Sequence, residues 1–230
     1  MKSLTSFIRY NAVNIFAGKF IYFLSLAIVL FLAVVIVNVL GRDTYAGEQE
    51  IYYYLLVPGI LLVFYPSAYS LQGDIDSRML ETLFGIPDYR YKVWLSRSVV
   101  QYLVIAVFLF LLAILCRLGL ADFSPASMLF HLMFPVVFVG SFGFMTAVIT
   151  RSGNSTAVVM VIVILFFWLA SGWFEGSSWN LFHNPFARVE QVSTVLWAEI
   201  TLYNRIYLLV GSILATMFGL LRMQQREKFF

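Results

Sequence analysis

Charged residues are scarce in this sequence. They make up 12% of the chain and hydrophobic residues make up 61%, against roughly 25% and roughly 45–50% in an average soluble domain. With a mean hydropathy of +0.88, one core of a 230-residue chain cannot hide all the apolar side chains, so lipid must be the solvent for much of the surface. The sequence therefore predicts a membrane protein and excludes a disordered chain.

Cysteine and excess charge are almost missing as well. Cys116 is the only cysteine, which excludes a disulfide scaffold and a metal site built from cysteines. The formal net charge is only +3, from 15 basic and 12 acidic residues. This small excess gives no reason to expect a nucleic-acid partner.

The sequence also lacks the motifs of common enzymes and carriers. It contains no Gly-x-x-x-x-Gly-Lys-Ser/Thr phosphate loop, no His-Glu-x-x-His metal motif and no Gly-x-Ser-x-Gly nucleophile elbow. Ionisable side chains inside a membrane usually mark ion or proton pathways, and no Asp, Glu or Lys falls inside the apolar runs given below. We therefore expect a chain that is not an enzyme and takes no energy from an ion gradient by itself.

What the sequence does contain is a series of apolar runs. A helix needs about 20 apolar residues to cross about 30 Å of hydrocarbon. Six runs approach this length within an expected single transmembrane domain, residues 1–230: Ile21 to Leu40, Tyr52 to Leu71, Val99 to Leu118, Met128 to Thr150, Thr156 to Trp173 and Ile206 to Leu221. Pro58 and Pro66 in the second run predict kinks and not ends, because neighbouring helices compensate for the lost backbone bonds.

The basic residues predict the orientation. With the N-terminus in the cytoplasm, 11 of the 15 lysines and arginines fall in cytoplasmic segments, and Arg42, Arg117, Arg188 and Arg205 fall in external ones. The positive-inside rule therefore places both termini in the cytoplasm. We expect the first run to be an uncleaved anchor, because it lacks a small-residue cleavage site.

The residues before the first run have an amphipathic pattern. Between Ser3 and Lys19, apolar side chains alternate with Arg9, Asn11 and Asn14. This pattern favours a short helix lying in the cytoplasmic membrane interface. The alternative is an N-terminal extension of the first span.

The longest cytoplasmic connection, Gly73 to Arg97, has a pattern of its own. Asp76 or Ser77 can cap a short helix that Gly85 and Pro87 would end. Its apolar positions recur at i, i+1, i+4 and i+5: Met79, Leu80, Leu83 and Phe84. An amphipathic helix parallel to the membrane is one interpretation, and an ordinary solvated loop anchored by basic residues is the other.

This connection resembles the cytoplasmic loop of ABC-2 type permeases, the membrane subunits of ATP-binding-cassette exporters. The pattern of that family runs approximately acidic-x-x-x-Gly-Thr-Leu-Glu-x-Leu-Leu-x-x-Pro-x-x-Arg, followed by a basic residue at the start of the third span. Seven residues match it in register: Asp74, Leu80, Glu81, Leu83, Pro87, Arg90 and Arg97. Arg78 and Met79 stand where the family has Gly-Thr, and Phe84 replaces a leucine.

The long segment between the fifth and sixth runs is similar to the same family. Phe174 to Arg205 is too apolar for a solvated loop, and family members have an Asn-Pro pair here, as in Asn184-Pro185. The resemblance implies an all-α membrane protein with six transmembrane helices and an N-terminal interfacial amphipathic helix. It also implies a cytoplasmic coupling helix between spans 2 and 3, and re-entrant external helices between spans 5 and 6.

The resemblance implies a function as well. In such transporters two permease chains, identical or homologous, pair with two separate ATPase subunits that bind ATP and Mg, so this chain would carry no cofactor. The residues expected to contact the ATPase are Arg78, Met79, Leu80, Glu81, Leu83 and Pro87. The expected activity is export of a hydrophobic or amphipathic substrate across the inner (cytoplasmic) membrane. A passive channel or carrier, and a non-transport scaffold regulated by an ATPase partner, are the alternatives.

Overall fold

The computed structural model describes residues 20–41, 47–76, 90–190 and 192–223. These residues form six long helices and no strand. The helices are α1 (Phe20–Gly41), α2 (Glu48–Asp76), α3 (Ser96–Gly119), α4 (Pro125–Thr150), α5 (Gly153–Leu169) and α6 (Thr194–Arg222). A π-helical turn, Arg90–Leu95, leads directly into α3.

Serine side chains set where three of the helices begin. Ser124 accepts a hydrogen bond from the backbone N–H of Ser127 at 3.4 Å, and Pro125 occupies the first position of α4. Ser152 and Ser193 make the same kind of cap at the starts of α5 and α6, at 3.4 Å and 3.3 Å. Such caps satisfy backbone N–H groups that have no partner inside the helix.

The helix α2 runs without a break for 29 residues through both Pro58 and Pro66. The prediction that these prolines do not end the helix is confirmed. Each proline removes a backbone donor, and both are buried, so neighbouring helices pack around them. α2 is the central helix of the bundle and contacts α1, α3, α4 and α5.

Two glycines let α4 approach its neighbours closely. A Cβ atom added at Gly140 would stand 2.6 Å from Cγ2 of Val63 on α2. One added at Gly143 would stand 2.7 Å from Cβ of Ser67 on α2 and 2.8 Å from the sulfur of Met160 on α5. These separations are far inside van der Waals contact, so a side chain at either position would push the helices apart.

Five of the described helical stretches are long and apolar enough to cross a membrane: Phe20–Val37, Glu48–Asp76, Val93–Gly119, Pro125–Thr150 and Thr194–Arg222. α5 is a shorter apolar helix of 17 residues, about 26 Å long at about 1.5 Å per residue. It still runs along most of α2, because the N–H of Gly153 bonds Gln72 near one end of α2 and Trp168 packs against Tyr53 near the other. Helices of this kind indicate a multi-pass membrane protein with five to six spans.

The outer surface of the bundle is apolar, as contact with lipid requires. Leu118, Leu169 and Val195 are more than three-quarters exposed. α1 is the most peripheral helix, since only 17% of its most apolar stretch is buried, against 67% for α2. Such apolar faces are unstable in water and are typical of contact with lipid tails.

The last helix differs from the prediction in its bounds. The sequence predicts a span from Ile206, whereas α6 begins at Thr194. The hydroxyl of Ser193 caps this earlier start. As a result Arg205, which the sequence analysis assigns to an external segment, lies within the helix.

The expected re-entrant helices are not formed in residues 170–190, which fold as a series of turns. Two asparagines shape these turns with their side chains. Oδ1 of Asn180 accepts a hydrogen bond from the N–H of Phe182, and Oδ1 of Asn184 accepts one from the N–H of Phe186, each at 3.0 Å. Such bonds offer the backbone an alternative to a helix, which explains the difference.

Two further predicted elements fall outside the described residues. They are the N-terminal interfacial helix, within residues 1–19, and the coupling helix, within residues 77–89. Both stay predictions.

Candidate functional site

Polar side chains gather at both ends of the bundle. We call the end that contains the last turn of α2 and the first turn of α3 the Asp74 end. The opposite end contains the turns of residues 170–190, and we call it the His183 end.

At the Asp74 end, a buried ion pair joins the helices that precede and follow the predicted coupling segment. Asp74, in the last turn of α2, accepts a hydrogen bond from Nη1 of Arg97, in the first turn of α3, at 2.7 Å. Both residues are only 7% exposed. A charge-assisted bond of this length is strong, and burial shields it from water. The Asp74–Arg97 pair therefore bonds the end of α2 to the start of α3, the two helices between which the segment 77–89 lies.

The ring of Trp94 packs against the guanidinium group of Arg97. The ring centroid lies 5.1 Å from Cζ of Arg97, a cation–π distance, and 5.8 Å from the ring centroid of Phe144 on α4. Trp94 belongs to a small apolar cluster whose other buried members are Leu71, Ala147, Val148, Leu220 and Met223. Through Trp94, Arg97 joins a core to which α2, α4 and the C-terminal end of α6 all contribute.

The π-helical turn holds Trp94 in place. Oγ of Ser96 donates a hydrogen bond to the carbonyl of Val93, and Oγ of Ser98 donates one to the carbonyl of Trp94, each at 3.0 Å. Turns of the π type inside helices are frequent at functional sites. The start of α3 is therefore a candidate for function on geometry as well as on charge.

Further polar contacts lie one turn deeper in the bundle. Gln101 follows Arg97 by four residues and so lies on the same face of α3. Its Nε2 donates a hydrogen bond to Oγ of Ser67 on α2 at 3.2 Å. Beside it, the hydroxyl of Tyr102 lies 3.3 Å from Oγ of Ser141 on α4. Polar bonds as well as packing therefore hold α3 against α2 and α4.

The structure brings together two residues of the family pattern, Asp74 and Arg97. A third, Arg90, begins the π-helical turn. The residues expected to contact an ATPase lie outside the described part of the chain: Arg78, Met79, Leu80, Glu81, Leu83 and Pro87. Their contact with an ATPase stays a prediction.

A second buried cation lies near the His183 end. Arg205 is only 5% exposed within α6. Its Nη1 donates a hydrogen bond to Oδ1 of Asn204 at 2.9 Å, and its Nη2 donates one to the carbonyl of His183 at 3.3 Å. Its Cζ lies 5.5 Å from the ring centroid of Phe134 on α4. Neutral oxygens and one aromatic face therefore hold the guanidinium group.

The turns between α5 and α6 are bonded to the helices around this cation. Nδ2 of Asn204 donates hydrogen bonds to the carbonyls of Ser178 and Asn180, at 2.9 Å and 2.7 Å. Nδ2 of Asn184 donates one to the carbonyl of Gln49 on α2, at 2.8 Å. The turns therefore close the His183 end of the bundle.

His183 is buried among these groups. Its Nε2 lies 2.9 Å from Oγ1 of Thr201, and its ring packs against that of Trp197 with the centroids 4.8 Å apart. Burial lowers the pKa of His183 from 6.5 to about 4, and the nearby Arg205 and His131 contribute to the lowering. His183 is therefore neutral at physiological pH.

Two buried polar atoms near the His183 end, Nε of Arg205 and Nδ1 of His131, form no hydrogen bond with any described residue. The hydroxyl of Tyr52 lies beside the guanidinium group of Arg205. Buried polar groups are nearly always paired, so each of the two unpaired nitrogens requires a physical reason. Both residues, Arg205 and His131, line a cavity of about 570 Å³ between α4 and α6.

The hydropathy pattern of the sequence does not identify Arg205 as part of a helix. The apolar run begins at Ile206, so the polar residues Thr201, Asn204 and Arg205 are assigned to the segment before it. The signal that marks them as helical is Ser193, a capping residue directly before an apolar turn. No comparable signal in the sequence pairs Asp74 with Arg97, whose contact depends on the folded arrangement of α2 and α3.

The two ends of the bundle thus differ in chemistry. One has a buried ion pair that links α2 to α3, and the other has a buried cation beside a cavity. Within the described ranges, no three His, Cys, Asp or Glu side chains converge as metal ligands do. Comparisons of the chain with protein-family models, with curated proteins and with solved structures find no match.

Proposed function

We propose that this chain is the membrane subunit of an ATP-binding-cassette exporter of the ABC-2 type. It moves a hydrophobic or amphipathic substrate across the inner (cytoplasmic) membrane, and a separate ATPase subunit that binds ATP and Mg supplies the energy. A second permease chain, identical or homologous, completes the transporter. The single observation that carries the proposal is the buried Asp74–Arg97 pair, which flanks the segment that resembles the family's loop.

The pair supplies a physical route from this segment to the helices. A force on residues 77–89 acts on Asp74 at the end of α2 and on Arg97 at the start of α3. Because the pair is charged and buried, the two helix ends resist separation. Trp94 passes a displacement on to Phe144 and thus to α4. A joint movement of α2, α3 and α4 is the kind of two-state change that alternating access needs.

The distribution of charge supports a cytoplasmic position for the Asp74 end. Arg97 at the start of α3, Arg151 directly after α4 and Arg222 at the end of α6 are all at this end. The positive-inside rule then directs the segment 77–89 toward an ATPase in the cytoplasm.

The amphipathic pattern of the segment supplies the expected contact. A short helix bound in a groove presents a few anchor residues and leaves the rest of its surface free. We assign the anchor positions to Glu81 and Leu83, with Arg78 beside them.

Co-purification from native membranes tests the proposal. The full chain is purified in detergent as wild type, as Glu81→Ala with Leu83→Ala, and as the control Asp88→Ala, an acidic residue of the same segment at a position the family pattern leaves free. We expect an ATP-hydrolysing subunit with the wild type and the control. The double variant should lose this subunit, or retain it with hydrolysis that no longer responds to substrate.

Two outcomes contradict the proposal. A chain that elutes as a folded protein in gel filtration but brings down no ATPase is not a permease of this type, and a passive carrier then fits better. An associated ATPase whose hydrolysis no hydrophobic or amphipathic compound stimulates contradicts export and favours a scaffold.

A further inference from the structure

The cavity of about 570 Å³ lies on the outside of the bundle, between α4 and α6 near the His183 end. Its wall is mostly apolar with a few polar groups, and includes Phe130, Phe134, Leu202, His131, Thr201 and Arg205. Phe130 and Leu202 are more than half exposed. The cavity is therefore open to the surroundings of the bundle.

Arg205 is a buried cation that no carboxylate of the described residues contacts as an ion pair; the pairs found among them are Asp74–Arg97 and Arg117–Asp122. A guanidinium group has five N–H donors. Here two of them bond neutral oxygens, the hydroxyl of Tyr52 lies beside the group, and the N–H on Nε has no partner among the described residues. A buried charge is costly unless it is paired. The arrangement therefore suits an anion that comes from outside the described chain.

An apolar groove continues from this cavity along α4 and α6. A second cavity, of about 450 Å³, shares Phe130, Phe134 and Leu209 with the first and extends to Ser212. Ser212 follows Arg205 by seven residues, which is about 10 Å along the helix axis. The two cavities form one surface, with the cation in its first part and an apolar wall along the rest.

The depth of Arg205 matches the position of a lipid headgroup. Arg205 precedes Arg222 by 17 residues of α6, which is about 26 Å along the helix, and the hydrocarbon layer is about 30 Å thick. With Arg222 at one membrane surface, Arg205 lies near the edge of the opposite leaflet. The groove then runs from the headgroup level into that leaflet.

We propose that this surface binds an anionic amphipath, with the phosphate or carboxylate of a lipid on Arg205 and its acyl chain in the groove between α4 and α6. Nε of Arg205 and Nδ1 of His131 are the atoms that would bond the anion. A lipid explains the apolar wall, which a free phosphate would leave uncovered. The inference needs no ATPase, so it does not rest on the proposed function.

Equilibrium binding to the purified full chain in a neutral detergent tests the inference. The probe is radiolabelled oleoyl lysophosphatidic acid, and the competitors are inorganic phosphate and monooleoyl glycerol, which has the same acyl chain and no phosphate. We expect saturable binding of the probe, at least about tenfold weaker competition by the uncharged lipid, and no competition by phosphate at the same concentration. A factor of about ten is what one charge-assisted hydrogen bond supplies.

Variants separate the charge from the groove. Arg205→Gln should weaken binding of lysophosphatidic acid about tenfold and leave binding of monooleoyl glycerol unchanged. Ala198→Phe adds a ring to the wall of the first cavity and should weaken both lipids. The matched control Arg188→Gln removes an exposed cation at the same end and should change neither.

The outcomes are distinct. Equal affinities for the two lipids, or an unchanged affinity for lysophosphatidic acid in a folded Arg205→Gln variant, overturn the inference. Competition by inorganic phosphate as strong as that by the lipid overturns the lipid as ligand and assigns a free anion. If Arg205→Gln does not fold, Arg205→Lys and Ala198→Phe remain, and unchanged binding by Ala198→Phe overturns the inference.

Discussion

Two ion pairs of the same chemistry have opposite surroundings in this chain. In the first, Asp74 and Arg97 are almost fully buried. In the second, Nη2 of Arg117 lies 3.1 Å from Oδ1 of Asp122, but the side chains are 51% and 88% exposed. An exposed pair contributes about 0–1 kcal/mol, whereas removing one partner of a buried pair costs about 3–5 kcal/mol. The chain therefore contains a natural control for its own buried pair.

We expect Arg97→Met to lower the free energy of unfolding by about 3 kcal/mol or more, because the carboxylate of Asp74 stays buried without this partner. Arg117→Met should lower it by less than about 1 kcal/mol. Denaturant unfolding of the purified variants in detergent, followed by near-ultraviolet circular dichroism, measures both values. Similar losses in the two variants would contradict a structural role for the buried pair.

A double variant separates charge from packing at the same residues. Asp74→Leu with Arg97→Met removes both charges, so it should unfold less readily than Arg97→Met alone. In the proposed transporter the same double variant should also weaken the response of ATP hydrolysis to substrate, because the end of α2 is no longer bonded to the start of α3.

Among the elements, the turns between α5 and α6 depend on a histidine that stays neutral. The pKa of His183 is lowered from 6.5 to about 4 by burial and by nearby positive charge, so the unfolded chain binds this proton more tightly than the folded one. The stability that depends on neutral His183 is fully present above pH 6.5 and is lost as the pH falls toward 4. The complete difference corresponds to about 3 kcal/mol.

We expect the thermal unfolding midpoint of the wild type in detergent to fall as the pH is lowered from about 7 to about 5. His183→Gln, whose amide can still bond Thr201, should show a smaller fall. The matched variant Thr201→Val removes the hydroxyl and keeps the imidazole, so it should retain the pH dependence. The same slope in the wild type and in His183→Gln would assign the effect to another group.

The helices were the predictable part of this fold, for a physical reason. A run of about 20 apolar residues in a membrane has few alternatives to a spanning helix, since every backbone group needs a partner within the segment. α2 illustrates this, because Pro58 and Pro66 interrupt the pattern but not the helix. The start of α6 at Thr194 was less accessible, because its first turns are polar and only the cap at Ser193 marks them.

The turns of residues 170–190 were not predictable from composition. Apolar residues there are equally compatible with short helices, and the folded arrangement is decided by distant partners such as Asn204 and the carbonyl of Gln49. The contacts in the candidate sites could not be predicted from the sequence for the same reason. The family pattern identified Asp74 and Arg97 as separate positions, whereas their contact and the cavity beside Arg205 depend on how α2, α3, α4 and α6 pack.

At the scale of the whole molecule, the proposed orientation assigns the Asp74 end to the cytoplasm. We expect a membrane-impermeant maleimide to label Glu175→Cys in intact cells and to label Asp76→Cys only after the membrane is opened. Both positions are exposed. The buried Cys116 is replaced by alanine in both variants.

The opposite pattern of labelling would reverse the orientation, and with it the assignment of the segment 77–89 to a cytoplasmic ATPase. Labelling of both positions in intact cells would contradict a spanning bundle. A chain with unaltered Asp76 and Glu175 provides the background.

The unequal burial of the first two helices has a consequence for how such a chain diverges over evolutionary time. Contact with hydrocarbon requires only that a side chain be apolar. Most positions of α1 can therefore exchange Leu, Ile, Val and Phe with little effect on stability. α2 is surrounded by four other helices, and positions such as Gly59, where an added Cβ would stand 3.0 Å from Val136, tolerate few replacements. Distant relatives of this bundle should therefore retain likeness in α2 long after α1 has become unrecognisable.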